Sequence, residues 1–224
     1  SLNVRTKPAP LAIVGISCIF PKADDLRAYW ANIKNGVDAI TPIPATHWKA
    51  ADFFNADPKA PDLTYAQRGG FLPTVNFNPL EHGIAPKDIE ATDTTQLFGM
   101  VAAKQALADA GYADKPFNKE RTSVILGVTG ALELVIPLGA RLGHPIWRRA
   151  LKEAGIADGY VPWQKNSFPG LLGNVAAGRI AARLDLGGTN CVVDAACASS
   201  FAALHLAALE LETGRSDMVI TGGV

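Results

Sequence analysis

The sequence predicts an α/β fold with a mainly parallel sheet covered by helices on both faces. Short runs rich in β-branched residues alternate along the chain with longer helical stretches, the order expected of parallel strands joined by crossovers. Those runs are apolar throughout instead of alternating with polar residues, as suits strands buried on both faces. One of them, VVDAACASS around Cys197, breaks into small residues and then into an apolar helical stretch, which is the pattern of a strand-turn-helix junction.

Strands are expected at Leu11 to Ile16, Ser123 to Val128, Asn190 to Ala195 and Met218 to Thr221, each bounded by glycine or polar residues. Helices are expected at Asp25 to Lys34, Thr95 to Ala110 and Ile146 to Ala154, over a glycine-interrupted stretch from Phe168 to Leu184, and from Ala198 to Thr213 with Gly214 as its C-cap. The last helix is apolar on nearly every side until Glu210, which predicts burial between layers. Thr41 to Asp93 carries much of the proline and little periodicity, so it reads as a long surface excursion with short helical turns. Gly222 and Gly223 after the last strand predict a close backbone approach or a sharp turn.

At 224 residues and 48% hydrophobic, the chain can fill one large core or two small ones. Lys plus Arg and Asp plus Glu balance at 21 each, so no charge excess points to nucleic acid or an anionic membrane surface. No apolar run approaches the ~20 residues needed to span a bilayer, and the first residues lack the apolar core of a secretory signal. Residues 1–9 read as a linker entering a domain over 10–224. Three cysteines without paired spacing suit a reducing, cytoplasmic compartment. His47, His82, His144 and His205 fall at no ligand spacing relative to a cysteine pair, so no metal site is expected.

Cys197 is the candidate nucleophile. A side chain on such a junction is lifted out of the backbone, the N–H groups opening the next helix favour its thiolate, and its own N–H can supply half of an oxyanion hole. Ala195, Ala196, Ala198, Ser199 and Ser200 leave little bulk around the thiol, as a closely approaching substrate requires. The alternative is a small packed residue, the commoner role of free cysteine. That inert role is the reading for Cys191, inside its strand, and for Cys18. His205, eight residues after Cys197, reads as a hydrogen-bonded core histidine, and Asp194 as a structural hydrogen-bond acceptor. Gly127-Val128-Thr129-Gly130 lacks the Lys-Ser/Thr of a phosphate loop.

Five blocks in order carry a family resemblance. They are LAIVGISCIFPKADDLRAYWANIKNGVDAITPIPATHW, YAQRGGFL, GIAPKDIEATDTTQLFGMVAAKQALADAGY, GNVAAGRIAARLDLGGTN and DAACASS with the FAALHLAALELETGRSDMVITGGV that follows it. Together they resemble the β-ketoacyl synthases, the condensing enzymes of fatty acid and polyketide assembly, over nearly the whole chain from Pro10. Asp93-Thr94-Thr95-Gln96-Leu97 replaces the Asp-Pro-Gln-Gln-Arg usual in modular polyketide synthases, and Ala195-Ala196-Cys197-Ala198-Ser199-Ser200 replaces Thr-Ala-Cys-Ser-Ser-Ser. Both variants look more like the polyunsaturated fatty acid synthases.

The resemblance implies a thiolase-like, duplicated α/β/α/β/α architecture of which these residues are little more than the first half. The apolar ending MVITGG with no polar tail agrees with an incomplete domain, and the expectation is that the fragment alone neither condenses substrates nor folds stably. Two catalytic histidines, a lysine and the second oxyanion donor are then expected in the half that is not here. Cys197 is the one catalytic residue carried over to this chain. The implied activity is that of an acyltransferase, a decarboxylative Claisen condensation between an acyl chain on Cys197 and a malonyl-type thioester on acyl carrier protein. The implied partners are that carrier, acyl and malonyl thioesters, a second copy of the chain meeting near Asn190 to Ala195, and the rest of a multidomain synthase. No cofactor is expected within the domain, since phosphopantetheine arrives on the carrier. Arg148, Arg149 and Lys152 face either an acidic carrier or solvent. Two other readings stay open: a silent partner of the chain-length-factor kind, disfavoured because such proteins usually lose the cysteine, and a thiolase or cysteine acyl hydrolase.

Overall fold

The computed structural model describes residues 10–129, 133–156 and 163–224, so the expected linker and Gly130 lie outside the described residues. The chain divides into two compact units, one of residues 16–76 and one of the remainder.

In the smaller unit, helix α1 (Leu26–Lys34) starts where the Asp25 carboxylate accepts from the Ala28 N–H at 2.7 Å, a side-chain N-cap. Strand β1 (Ile40–Pro42) pairs antiparallel with β2 (Arg68–Gly70), with the single helical turn α2 (Ala50–Phe53) between them in sequence. Arg68 ties the ribbon together by donating to the Asp38 carboxylate at 3.0 Å and to the Ile40 carbonyl. The expected surface excursion therefore contains a two-stranded ribbon. Its strands are three residues each, Ile-Thr-Pro and Arg-Gly-Gly, too short and too poor in β-branched residues to be read from pattern.

In the larger unit the elements run α3 (Thr94–Asp109), β3 (Thr122–Gly127), α4 (Val135–Leu142), α5 (His144–Glu153), α6 (Ser167–Leu171), α7 (Asn174–Leu184), β4 (Asn190–Val193), α8 (Ser199–Glu212) and β5 (Met218–Gly223). The sheet is parallel in the order β4-β3-β5, with β3 buried along its whole length. Val124, Leu126 and Val128 share a core with Met100 and Ala103 of α3 and Ala177 and Ile180 of α7. Gly127, on the alternate side of β3, meets the first residues of α8. Helices thus cover both faces, because the chain passes from β3 to β4 on one side and from β4 across to β5 on the other.

Three expectations need correction. Leu11 to Ile16 forms no strand; Ile13 is 77% exposed, and Gly15 lets the backbone pass against Ala106 of α3 and Ala110, its C-cap. An apolar β-branched run becomes a strand only where another strand pairs with it, and none of the described strands lies beside this one. Helix α8 is not buried all round. Ala203 and Ala207, four apart, are buried, whereas Phe201 is 75% and Leu204 50% exposed. His205 lies between the two buried alanines in sequence and so on the far side of the helix, exposed to solvent and not in the core.

Candidate active site

Cys197 sits in a single 3₁₀ turn, Ala196–Ala198, wedged between the end of β4 and the start of α8. Of the three cysteines it is the exposed one. The turn is built by its neighbours. The Asp194 carboxylate accepts from the Ala196 N–H at 2.9 Å, closing an Asx turn, which is the structural role expected for Asp194. The buried Ser199 hydroxyl accepts from the Ala195 N–H at 2.9 Å and donates to the Ala196 carbonyl at 2.7 Å. Ala198 N–H reaches the Ala195 carbonyl at 3.0 Å. The N–H groups of Ala195, Ala196 and Ala198 are thereby consumed, while that of Cys197 has no acceptor among the described residues.

Ala196 holds φ +49°, a left-handed conformation that costs an L-residue about 1–2 kcal/mol. A strained residue just before an exposed thiol is what a sharply turned nucleophile requires, and the Ser199 and Asp194 bonds hold it there. Two glycines let the turn sit close on the sheet. A Cβ on Gly127 would lie 2.7 Å from the Ser200 nitrogen and closer still to the Ser199 carbonyl, and a Cβ on Gly223 would lie 3.0 Å from the Ser200 Cβ. The close approach expected of the final glycines therefore belongs to Gly223; Gly222 has open space around it.

The other cysteines are chemically quieter. Burial pushes the Cys191 thiol up, with Glu210 adding to the effect. Burial also raises the Cys18 thiol, with a further push from Asp25. Both are half-buried, in agreement with packed, inert roles. No hydrogen bond joins Cys197 to a histidine among the described residues. His47 packs edge-on to Phe71, His82 stacks on Phe77 at 4.6 Å, and His205 faces solvent. Arg149 of the basic cluster on α5 pairs with Glu153 at 2.8 Å.

A polar cluster that sequence reasoning did not assign supports the scaffold. Asp93 caps α3 by accepting from the Thr95 N–H at 3.0 Å and also accepts from the Leu134 N–H at 2.8 Å. Gln96, 1% exposed, donates to the carbonyls of Pro169, Gly170 and Leu172 at 2.9, 3.1 and 3.2 Å and accepts from Arg179 at 2.7 Å. These bonds hold the break between α6 and α7, where Gly173 packs against Val128 just past the C-terminal end of β3. The signal lay in the Asp93 to Leu97 element, read as a family variant without a structural role.

Comparison with known proteins places this geometry. The family model for the N-terminal domain of β-ketoacyl synthase matches residues 9–224. A polyunsaturated fatty acid synthase polypeptide of Thraustochytrium sp. is 33% identical over 95% of this chain, and polyketide synthase PksN of Bacillus subtilis 34% over 97%. The chain spans 8% and 4% of the lengths of these relatives, so it corresponds to a small part of each. The two identities differ by a single percentage point and do not separate the fatty acid from the polyketide branch. Among solved structures, the oxazolomycin ketosynthase domain of Streptomyces albus JA3453 matches with a TM-score of 0.72 at 27% identity, over 95% of this chain and 34% of that one. The module 6 ketosynthase of the Bacillus subtilis bacillaene synthase gives 0.69 at 26%, over 95% and 31%. These neighbours support the thiolase-like α/β fold expected from the sequence. The chain belongs to the β-ketoacyl synthase family and carries the family's N-terminal domain.

Proposed function

We propose that this chain supplies the acyl-accepting nucleophile of a carbon–carbon bond-forming condensation. The observation that carries the reading is the exposed Cys197 thiol on a strained strand-turn-helix junction, beside a backbone N–H that is free among the described residues. In the first half-reaction the Cys197 thiolate attacks the carbonyl of an acyl thioester; the new C–S bond forms and the phosphopantetheine thiolate leaves and takes up a proton. The Cys197 N–H donates to the oxygen on which charge develops. In the second, a malonyl-type thioester loses carbon dioxide, and the resulting enolate carbon attacks the Cys197 thioester. The C–S bond to Cys197 breaks and the free thiolate returns, so the product leaves two carbons longer and the kinetics are ping-pong.

The partners in this reading are an acyl carrier protein and a second copy of the chain. The position of β4 at an edge of the sheet supports the second, because an edge strand offers unpaired backbone groups. The test is product formation by the synthase that carries this chain, supplied with acyl- and malonyl-pantetheine thioesters. β-Ketoacyl thioester formed together with one released carbon dioxide per condensation is expected; release of free acid by hydrolysis, or of nothing, would count against condensation.

A further inference from the structure

Away from Cys197, the larger unit holds a cleft of about 660 Å³, within the size range of small-molecule sites. It lies between the C-terminal halves of α3 and α7 and the loop that leads into β3. Cys197 follows the opposite, C-terminal end of the parallel strands. The six residues of β3 therefore stand between the two sites, roughly 20 Å at ~3.3 Å per residue. Nothing in the condensation uses this end of the sheet.

The floor of the cleft is apolar: the half-buried Tyr112, Phe117 and Leu184 lie over the buried Met100, Leu107 and Ile180. Its rim is cationic: Lys104, Lys115, Lys119 and Arg183 face only two carboxylates, Glu81 and Asp114. Part of that charge has a local use. Lys104 stands 3.8 Å from Glu81, Arg183 donates to the Glu81 carbonyl, and Lys115 lies over the Tyr112 ring at 5.3 Å. The partial negative charge at the ends of α3 and α7 offsets some of the remainder. Lys119, in the turn just before β3, has no ion-pair partner among the described residues. His82 closes one side, stacked on Phe77. Burial and the neighbouring Lys104 lower its pKa, so it adds a neutral polar wall near neutral pH.

An apolar floor under an uncompensated ammonium fits a ligand with a chain and one negative head. We propose that this cleft binds an amphipathic monoanion, an alkyl carboxylate whose chain lies on Tyr112, Phe117 and Leu184 and whose head sits between Lys119 and Lys104. The site is separate from the acyl-accepting thiol and does not depend on the reading given to Cys197.

The test is calorimetric titration of the synthase that carries this chain with decanoate below its micellar concentration, beside decylamine and two variants. Lys119→Glu reverses the charge at the head site, and Ala108→Trp fills the cleft from an exposed position on α3. Expected are saturable binding of one decanoate per chain, at least tenfold weaker in Lys119→Glu and abolished in Ala108→Trp, with decylamine at least tenfold weaker than decanoate. The melting temperature of each variant without ligand confirms that it is folded. Absence of saturable binding, equal binding of decylamine, or folded variants that bind like the native protein would overturn the proposal.

Discussion

Replacing Gly127 by alanine places a single methyl group where the structure leaves no room for one. The added Cβ would stand 2.5 Å from the Ser199 carbonyl oxygen and 2.7 Å from the Ser200 nitrogen, against an ordinary contact of 3.4 Å or more, so the turn carrying Cys197 must retreat from the sheet by at least about 0.9 Å. Both obstructing groups are backbone, at the first residues of α8, and cannot swing aside as a flexible side chain would. Overpacking of this kind costs about 1–3 kcal/mol of stability. A displacement near 1 Å at a reacting group costs up to ~100-fold in rate, about 2.7 kcal/mol of barrier. The assay is the rate at which an acyl-pantetheine thioester acylates Cys197, measured in the folded variant together with its urea midpoint. Gly222→Ala is the control, because open space surrounds that position on the same sheet, and it should leave the acylation rate within a factor of about three. A Gly127→Ala protein that acylates as fast as the native one would refute the claim that the sheet positions the nucleophile.

Ser199→Ala removes both side-chain bonds that Ser199 makes to the turn and strands the Ala195 N–H, while the Ala196 carbonyl keeps the backbone N–H of residue 199; a loss of about 1–3 kcal/mol in urea unfolding and slower acylation are expected. Gln96→Leu leaves three backbone carbonyls and Arg179 without their shared partner, and urea unfolding should show a loss of about 2–4 kcal/mol with no change in the mass of the Cys197 adduct. Cys191 and Cys18 are both raised above the ordinary thiol value, so the folded state favours their neutral forms. Their contribution to stability is complete below about pH 8.5 and falls as the pH climbs through the unfolded and then the folded value, since the unfolded chain loses those protons first. Iodoacetamide at pH 8 should accordingly modify Cys197 well before the other two, as read by peptide mass mapping.

The elements that sequence pattern revealed are those whose local chemistry and tertiary setting agree. The strands at 122–127, 190–193 and 218–223 are apolar because helices cover both faces of the sheet, and the helix boundaries at Asp25 and Gly214 follow from a carboxylate cap and a left-handed glycine. Helix α4 went unread because Pro137, Gly139 and Gly143 punctuate it; Pro137 is accommodated as the third residue, where no intrahelical N–H is needed. Leu11 to Ile16 and the outer face of α8 mark the opposite limit. Periodicity reports that a surface is apolar and says nothing about what lies against it. In the site, the exposed position of the Cys197 thiol and the turn-closing bond of Asp194 were legible from the junction itself. The contributions of Gly127, Ser199 and Gln96 were not, because each acts across 70 or more residues of chain or through one buried bond pair.

The most direct measurement is the intact mass of the full-length domain that carries this chain after incubation with an acyl-pantetheine thioester, beside Cys197→Ala. The account predicts one acyl adduct on the native protein and none on the variant. An adduct that persists without Cys197, or none on the folded native protein, would contradict it.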